Sequence, residues 1–169
     1  LRNEALQSAR SEVLEIGLGT GLNLPHYPVG VSRLRAVDPA PLLPDRVTER
    51  IARAPFPVEL SRTGAEHLPY DNHSFDYVVS TWTLCTIPDP IQALQEVRRV
   101  LKPTGRFLFL EHGRSDDAVT AAWQDRLNPL QNVIGCGCNL NRRIDQLISK
   151  AGLHILQLDR FVMEGVPRI

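Results

Sequence analysis

"VLEIGLGTGLN", residues 13–23, decides the fold. An apolar run ends at Ile16, and Gly17, Gly19 and Gly21 follow at alternate positions directly behind it. A strand that runs into bare backbone suits a ligand lying close against the main chain, because glycine has no Cβ in the way. The dinucleotide fingerprint G-x-G-x-x-G requires its third glycine at the place held by Leu22. The loop also lacks a basic residue to meet phosphates, which argues against a P-loop. Glu15 instead puts negative charge at the strand end, where a ligand ammonium or sulfonium is favoured and a pyrophosphate is repelled. Asp38 in "AVDP" ends the next strand beside this loop, where a carboxylate accepts both hydroxyls of a ribose. The pattern favours a nucleoside carrying a cation.

Working outward, strand-like runs occupy residues 12–16, 34–37, 58–60, 75–80 and 107–110. The last two read as buried central strands from their apolar content. Pro103-Thr104-Gly105 makes the turn into the second of them. "DPIQALQEVRRVLKP" is an amphipathic helix, with Asp89 as cap, Pro90 in the first helical position and Pro103 as stop. "LNRRIDQLISKAGL" is another, with Asn141 as cap and Gly152 as breaker. Residues 45–53 are helical, 116–134 are helical in part with a break at Asn128-Pro129, and 154–161 read as a final strand. The expected order is β-α-β-α-β-β-α-β-α-α-β. This is one α/β domain over residues 1–169, a doubly wound, mostly parallel sheet with helices on both faces and ligands at the carboxyl ends of the strands. The chain starts at Leu1 and stops soon after the last strand, so terminal elements are expected to be lacking.

With 43% hydrophobic and 22% charged residues, the composition is that of a soluble globule. Lys+Arg and Asp+Glu both number 19, and a balance of zero argues against nucleic acid as partner. No apolar run is long enough to span a bilayer and no leader is visible. Cys85, Cys136 and Cys138 are an odd set with a C-x-C pair, unlike the C-x-x-C of redox and zinc motifs. A metal held by these cysteines and His112 is conceivable, but they are read as structural thiols in a reducing, cytoplasmic setting, with no metal expected.

"VLEIGLGTGLN", "AVDP", "GAEHLPYDNHSFDYVVSTWTLC" and "EVRRVLKPTGRFLFLEH" together resemble the class I S-adenosylmethionine-dependent methyltransferases, in order and spacing, over nearly the whole chain. "GTGLNLPHYP", "LCTIPDP", "LEHGRS" and "GCGCNLNR" are most similar to the thiol S-methyltransferase group within the methyltransferase type 11 domains. The resemblance implies a Rossmann-like fold with S-adenosyl-L-methionine as cofactor. Gly17, Gly19 and Gly21, with Thr20 and Asn23 of the same loop, would face its methionyl part, with Glu15 near the ammonium. Asp38 would hold the ribose and Pro39 would lie on the adenine. The Ala65 backbone would reach the adenine ring. Gly64 stands where relatives often have an acidic residue, a role for which Glu66 is the candidate substitute. Thr81 and Trp82 would close over the methionine.

Methyl transfer from a sulfonium is an in-line displacement, and the protein chiefly excludes water and aligns the nucleophile. A thiol is already a few per cent thiolate at neutral pH and needs modest help. His112, at the carboxyl end of the fifth strand, is the candidate base, with Glu111 to orient or replace it; the alternative is a histidine that hydrogen-bonds a loop carbonyl. His26 and Tyr27 could line the acceptor side, although such residues more often pack a helix start, while Cys85 packs beneath. Cys136, Cys138 and Asn139 belong to a loop that could cover the acceptor. Trp123 and its neighbours form an apolar lid, suited to a small, greasy acceptor, a dimer surface or peripheral membrane contact. The leading expectation is methyl transfer to a small lipophilic acceptor, with an alkyl thiol as the candidate, by a monomer or homodimer. Quinone or phospholipid C- or N-methylation is the nearby alternative. A non-catalytic module binding the cofactor or its demethylated product is another, and an NAD-dependent oxidoreductase a distant one.

Overall fold

A computed structural model describes residues 1–40 and 45–162. Helix α1 (Arg2–Leu6) leads into β1 (Ser11–Ile16), followed by a single 3₁₀ turn (Leu24–His26) and β2 (Val31–Val37). Then come α2 (Asp45–Ala52), β3 (Val58–Ser61), β4 (Phe75–Thr81), α3 (Pro90–Val100), β5 (Leu101–Leu110), α4 (Ala118–Ile134) and α5 (Ile144–Lys150). The five strands are parallel in the order β3-β2-β1-β4-β5. Strand order runs outward one way from β1 to β2 and β3 and the other way to β4 and β5, so the carboxyl ends of β1 and β4 form the switch point expected for a doubly wound sheet.

Two apolar cores explain the patterning. Leu14, Ile16 and Val78 face α3 and α5 residues such as Leu94, Val97, Ile144 and Ile148. Val13, Tyr77 and Val79 point the other way, towards Leu6, Leu24, Tyr27, Val47 and Phe56. β1 lies between β2 and β4 with both faces covered, so its last four residues are all buried. Glu15 falls on the Val13 side, among apolar neighbours.

Four expectations need correction. The helix anticipated between β1 and β2 is only the 3₁₀ turn; Pro25 inside it and Pro28 just after it remove backbone donors a longer helix would use. β5 is the outermost strand among the described residues and half-buried, with Pro103-Thr104-Gly105 taken up where its register against β4 shifts between Phe75 and Tyr77. Helix α4 is unbroken through Pro129. Asn128 just before it accepts from Leu140 N (2.8 Å) and so ties the helix to the following loop. No strand forms over 154–161, where Leu156, Leu158 and Phe161 are exposed; apolar alternation makes a strand only where a neighbouring strand completes the hydrogen bonds.

The Asp89 cap on α3 is present, its carboxylate accepting from Gln92 N at 3.0 Å. Asn141 does not cap α5; its amide donates to Asp125 instead. Gly152 ends α5 as expected, its N–H reaching Ser149 O and the next N–H reaching Ile148 O.

Candidate active site

The loop after β1 is built on bonds to its neighbours. Gly17 N donates to Val37 O (2.8 Å), which ties the first glycine to the end of β2. A Cβ on Gly17 would lie 2.4 Å from the Thr83 side chain, so the loop after β4 occupies the space a side chain would need. Gly19 is exposed, and a Cβ there would meet nothing within 4 Å. One glycine is bare to fit the protein, the other to leave room outside it.

Asp38 is only 7% exposed at the end of β2. Its oxygens accept from Gly19 N (2.7 Å) and Ala40 N (2.9 Å). A carboxylate has about four acceptor positions. Asp38 therefore shapes the loop and still has capacity for hydroxyl donors. Pro39, next to it, is exposed. Arg50 donates to Thr20 O and fixes the other side of the loop.

Glu15 is 1% exposed and accepts from Tyr27 Oη (2.8 Å) and Asn23 Nδ2 (2.9 Å). Burial raises its carboxyl to about 7, although both hydrogen bonds and the nearby Arg2 charge act in the opposite direction. Asn23 also donates to Thr81 Oγ1 (2.9 Å), and Arg2 reaches both Asn23 Oδ1 and Thr81 Oγ1. Tyr27 follows the 3₁₀ turn as a packed partner of Glu15, in keeping with the reading of it as a residue that packs a helix start. His26 is engaged with Asn3 of α1. Arg2 was not singled out from the sequence; a lone arginine opening a five-residue helix carries no pattern, and only α1 packing against the 3₁₀ turn brings it here.

Ala65 is buried, and Glu66 curls back over Gly64: a Cβ on Gly64 would come within 2.6 Å of Glu66 Oε2. Glu66 therefore brings a carboxylate to the place that Gly64 leaves without one.

The other half of the site stands at the ends of β4 and β5. Trp82 adopts φ +57°, a left-handed conformation rare for a bulky side chain, and its N–H bonds Leu110 O (2.9 Å). This turns its indole onto the His112 ring, with centroids 5.9 Å apart and planes at 26°. His112 Nε2 lies 3.2 Å from Cys138 Sγ, and burial holds the imidazole below its ordinary range. Glu111 does not orient His112. It accepts from Ser80 Oγ (2.6 Å), Thr83 N (3.0 Å) and Leu84 N (3.2 Å), and so clamps the loop after β4; burial raises its carboxyl. Cys85 is buried as expected, and burial, then Cys138, pushes its thiol up to about 12. Asn139 binds Cys85 O through both its backbone and side-chain amides (3.0 Å each). Cys136 faces solvent, away from this corner.

These residues suit S-adenosylmethionine. A carboxylate raised by burial, a second one with spare acceptor positions, and an open glycine between them match an ammonium, a ribose diol and a close-lying nucleoside. The fold and this cradle define a nucleoside-binding doubly wound domain. A family model for the methyltransferase domain matches residues 14–109, and the chain belongs to that family, whose cofactor is S-adenosylmethionine. It is 36% identical over 160 residues to thiol S-methyltransferase TMT1B of Rattus norvegicus, covering 91% of this chain and 65% of that protein. Thiol S-methyltransferase TMT1A of Homo sapiens is 32% identical, with 94% and 66% covered. The chain thus spans just under two thirds of both. Phosphatidylethanolamine N-methyltransferase of Cereibacter sphaeroides is 31% identical, with 79% and 67% covered. In fold, the chain resembles a methyltransferase structure from Bacillus halodurans (TM-score 0.75, 20% identity, 89% of this chain and 68% of that one).

Proposed function

We propose that this chain transfers a methyl group from S-adenosylmethionine to a small lipophilic thiol. The observation that carries the reading is the pair Glu15 and Asp38 flanking the open Gly19 backbone, in a chain 36% identical to a thiol S-methyltransferase. When bound, the sulfonium supplies an already activated methyl group. Asp38 holds the ribose hydroxyls, Pro39, Ala65 and Glu66 border the adenine, and Glu15 offsets the ammonium charge through Asn23 and Thr81. Arg2, poised on Asn23 and Thr81, is placed to meet the methionyl carboxylate. Gly17, Gly21 and Thr20 shape the loop, and Trp82 closes over the methyl side.

The acceptor enters where Trp82 and His112 stack, and gives up its proton at that corner. Trp123, exposed on α4, and the 136–139 loop border its approach and favour an apolar substituent. Among the described residues no helix is long and apolar enough to cross a membrane. The kinship with a phosphatidylethanolamine N-methyltransferase supports a second reading, in which the acceptor is an amine on a lipid headgroup.

Incubation with methyl-labelled cofactor and a panel of alkyl thiols, quinols and aminolipids separates these. Labelled thioether with no labelled amine or quinol product is the expected result. Label only in the aminolipid fraction removes the sulfur assignment. No label in any fraction leaves a binding module.

A further inference from the structure

Cys85, His112 and Cys138 come from three separate stretches of chain, yet their ligand atoms all lie within 4.8 Å of one another. A tetrahedral zinc site separates its sulfurs by about 3.8 Å and sulfur from nitrogen by about 3.5 Å, given the usual bond lengths. His112 Nε2 and Cys138 Sγ, at 3.2 Å, already approach that spacing. Only a modest adjustment brings the three donors around one ion. We propose that these three side chains bind zinc or a similar soft divalent ion, and that the open fourth position takes the sulfur of the acceptor thiol. This rests on the thiol reading above and makes His112 a ligand at the corner where the acceptor loses its proton.

The donor set fits the chemistry. Two thiolates and one imidazole are a known catalytic zinc set, and three protein ligands leave one position for substrate. Soft thiolate donors select zinc over magnesium or calcium. The surroundings hold the set in place. Glu111 grips Thr83 N and Leu84 N, Asn139 grips Cys85 O, and Arg142 donates to Leu84 O and to Ile87 O (2.7 Å). All three fix the backbone that carries Cys85. Cys136 and Cys138 are split by Gly137, so one faces solvent and the other His112.

Charge favours a thiolate in the fourth place. A dication with two thiolates is neutral, and a third thiolate makes the group an anion. Arg142 lies close enough to interact with both cysteines and offsets that charge. His112 and Cys138 are only partly buried, so the open side can be reached, and the Trp82 ring offers an apolar wall beside it. The step balances without an oxidant. The acceptor thiol releases its proton to solvent on coordination. Its sulfur pair then forms the new S–C bond as the sulfonium S–C bond breaks, and that bonding pair stays on the departing thioether. The methylated sulfur is neutral, binds the metal weakly and leaves.

The test is cobalt(II) loading of metal-stripped protein under a phosphine reductant, followed by absorption. One cobalt per chain, with a thiolate charge-transfer band and the intense visible bands of a tetrahedral site, is expected. Adding a small alkyl thiol should shift those bands, and zinc should abolish them. Cys138→Ser and His112→Gln should each weaken metal affinity on the order of a hundredfold or more, since a direct ligand outweighs an outer-shell partner. Cys136→Ser should leave the spectrum as it was. Each variant is first checked for a normal thermal response to S-adenosylhomocysteine, so that misfolding is not counted. Octahedral-type weak bands, bands that persist in Cys138→Ser, or no response to thiol would overturn the proposal. Full thiol methylation by stripped protein would overturn it too, while leaving the thiol reading intact. A thiol-responsive cobalt spectrum without methyl transfer would keep the metal site and remove the transfer.

Discussion

Glu15 shows how one residue ties stability to ligand charge. Its folded carboxyl sits at about 7, above the ordinary 4.5, because burial outweighs the bonds from Tyr27 and Asn23. A raised carboxyl holds its proton more tightly in the folded state. Its contribution to stability is therefore full below about pH 4.5 and is lost as pH rises through about 7. The loss is on the order of 3 kcal/mol at the alkaline end. The melting temperature of ligand-free protein should fall between pH 5 and pH 8, and Glu15→Gln should flatten that fall. Equal slopes for the two proteins would mean that Glu15 does not titrate there. Glu15 and Asp38 were legible in the sequence because each ends an apolar strand beside glycines. Tyr27 and Arg2 were not, since their roles come from the packing of α1 and the 3₁₀ turn against β1.

At the scale of the element, the loop after β1 has two kinds of glycine. Gly17 (φ +75°) has Thr83 where its Cβ would go, whereas Gly19 (φ +54°) opens onto empty space. Gly17→Ala should therefore displace Thr83 and with it the turn that carries Trp82, and cost more than the roughly 1–2 kcal/mol of a left-handed non-glycine residue alone. Gly19→Ala should cost no more than that strain, yet weaken binding of S-adenosylhomocysteine at least as much as Gly17→Ala does. Denaturant midpoints and calorimetric affinities of the two variants check this; a Gly19→Ala protein with wild-type affinity would show that the cofactor does not lie against that backbone. Elements with a complete local signal were legible. α3 carries its cap, its proline and its apolar stripe within a dozen residues, and β4 gathers Phe75, Tyr77, Val78 and Val79 into one short run. The exceptions depended on distant partners. Residues 154–161 alternate like a strand but meet no neighbouring strand, and α4 runs through Pro129 while side-chain bonds from Asn128 and Asn132 hold it to the 137–140 loop. The Cys85–His112–Cys138 set was named from the sequence, but its convergence was not legible for the same reason: its members are 27 and 26 residues apart and only the fold brings them together.

Over the whole molecule, the cradle is shared among parts that have little else in common. Gly19 comes from the β1 loop, Asp38 from just after β2, Glu66 from the stretch after β3, Thr81 and Trp82 from the end of β4, and Arg2 from α1. The unfolded chain has no such surface, so a ligand that bridges these parts binds only the native state and stabilises it by mass action. At 100 times its dissociation constant, S-adenosylhomocysteine should add about 2.7 kcal/mol to unfolding. For a domain of this size that is a rise in melting temperature of about 5–11 °C. NADH at the same concentration should produce none, since the loop lacks the third glycine and carries a carboxylate where a pyrophosphate would lie. Asp38→Ala removes the ribose acceptor and two bonds that shape the loop, so it should erase most of the rise while the ligand-free protein still unfolds cooperatively. A differential scanning fluorimetry titration of both proteins against both ligands decides it: a rise with NADH, or an unchanged S-adenosylhomocysteine response in Asp38→Ala, would move the nucleoside away from the β1–β2 edge.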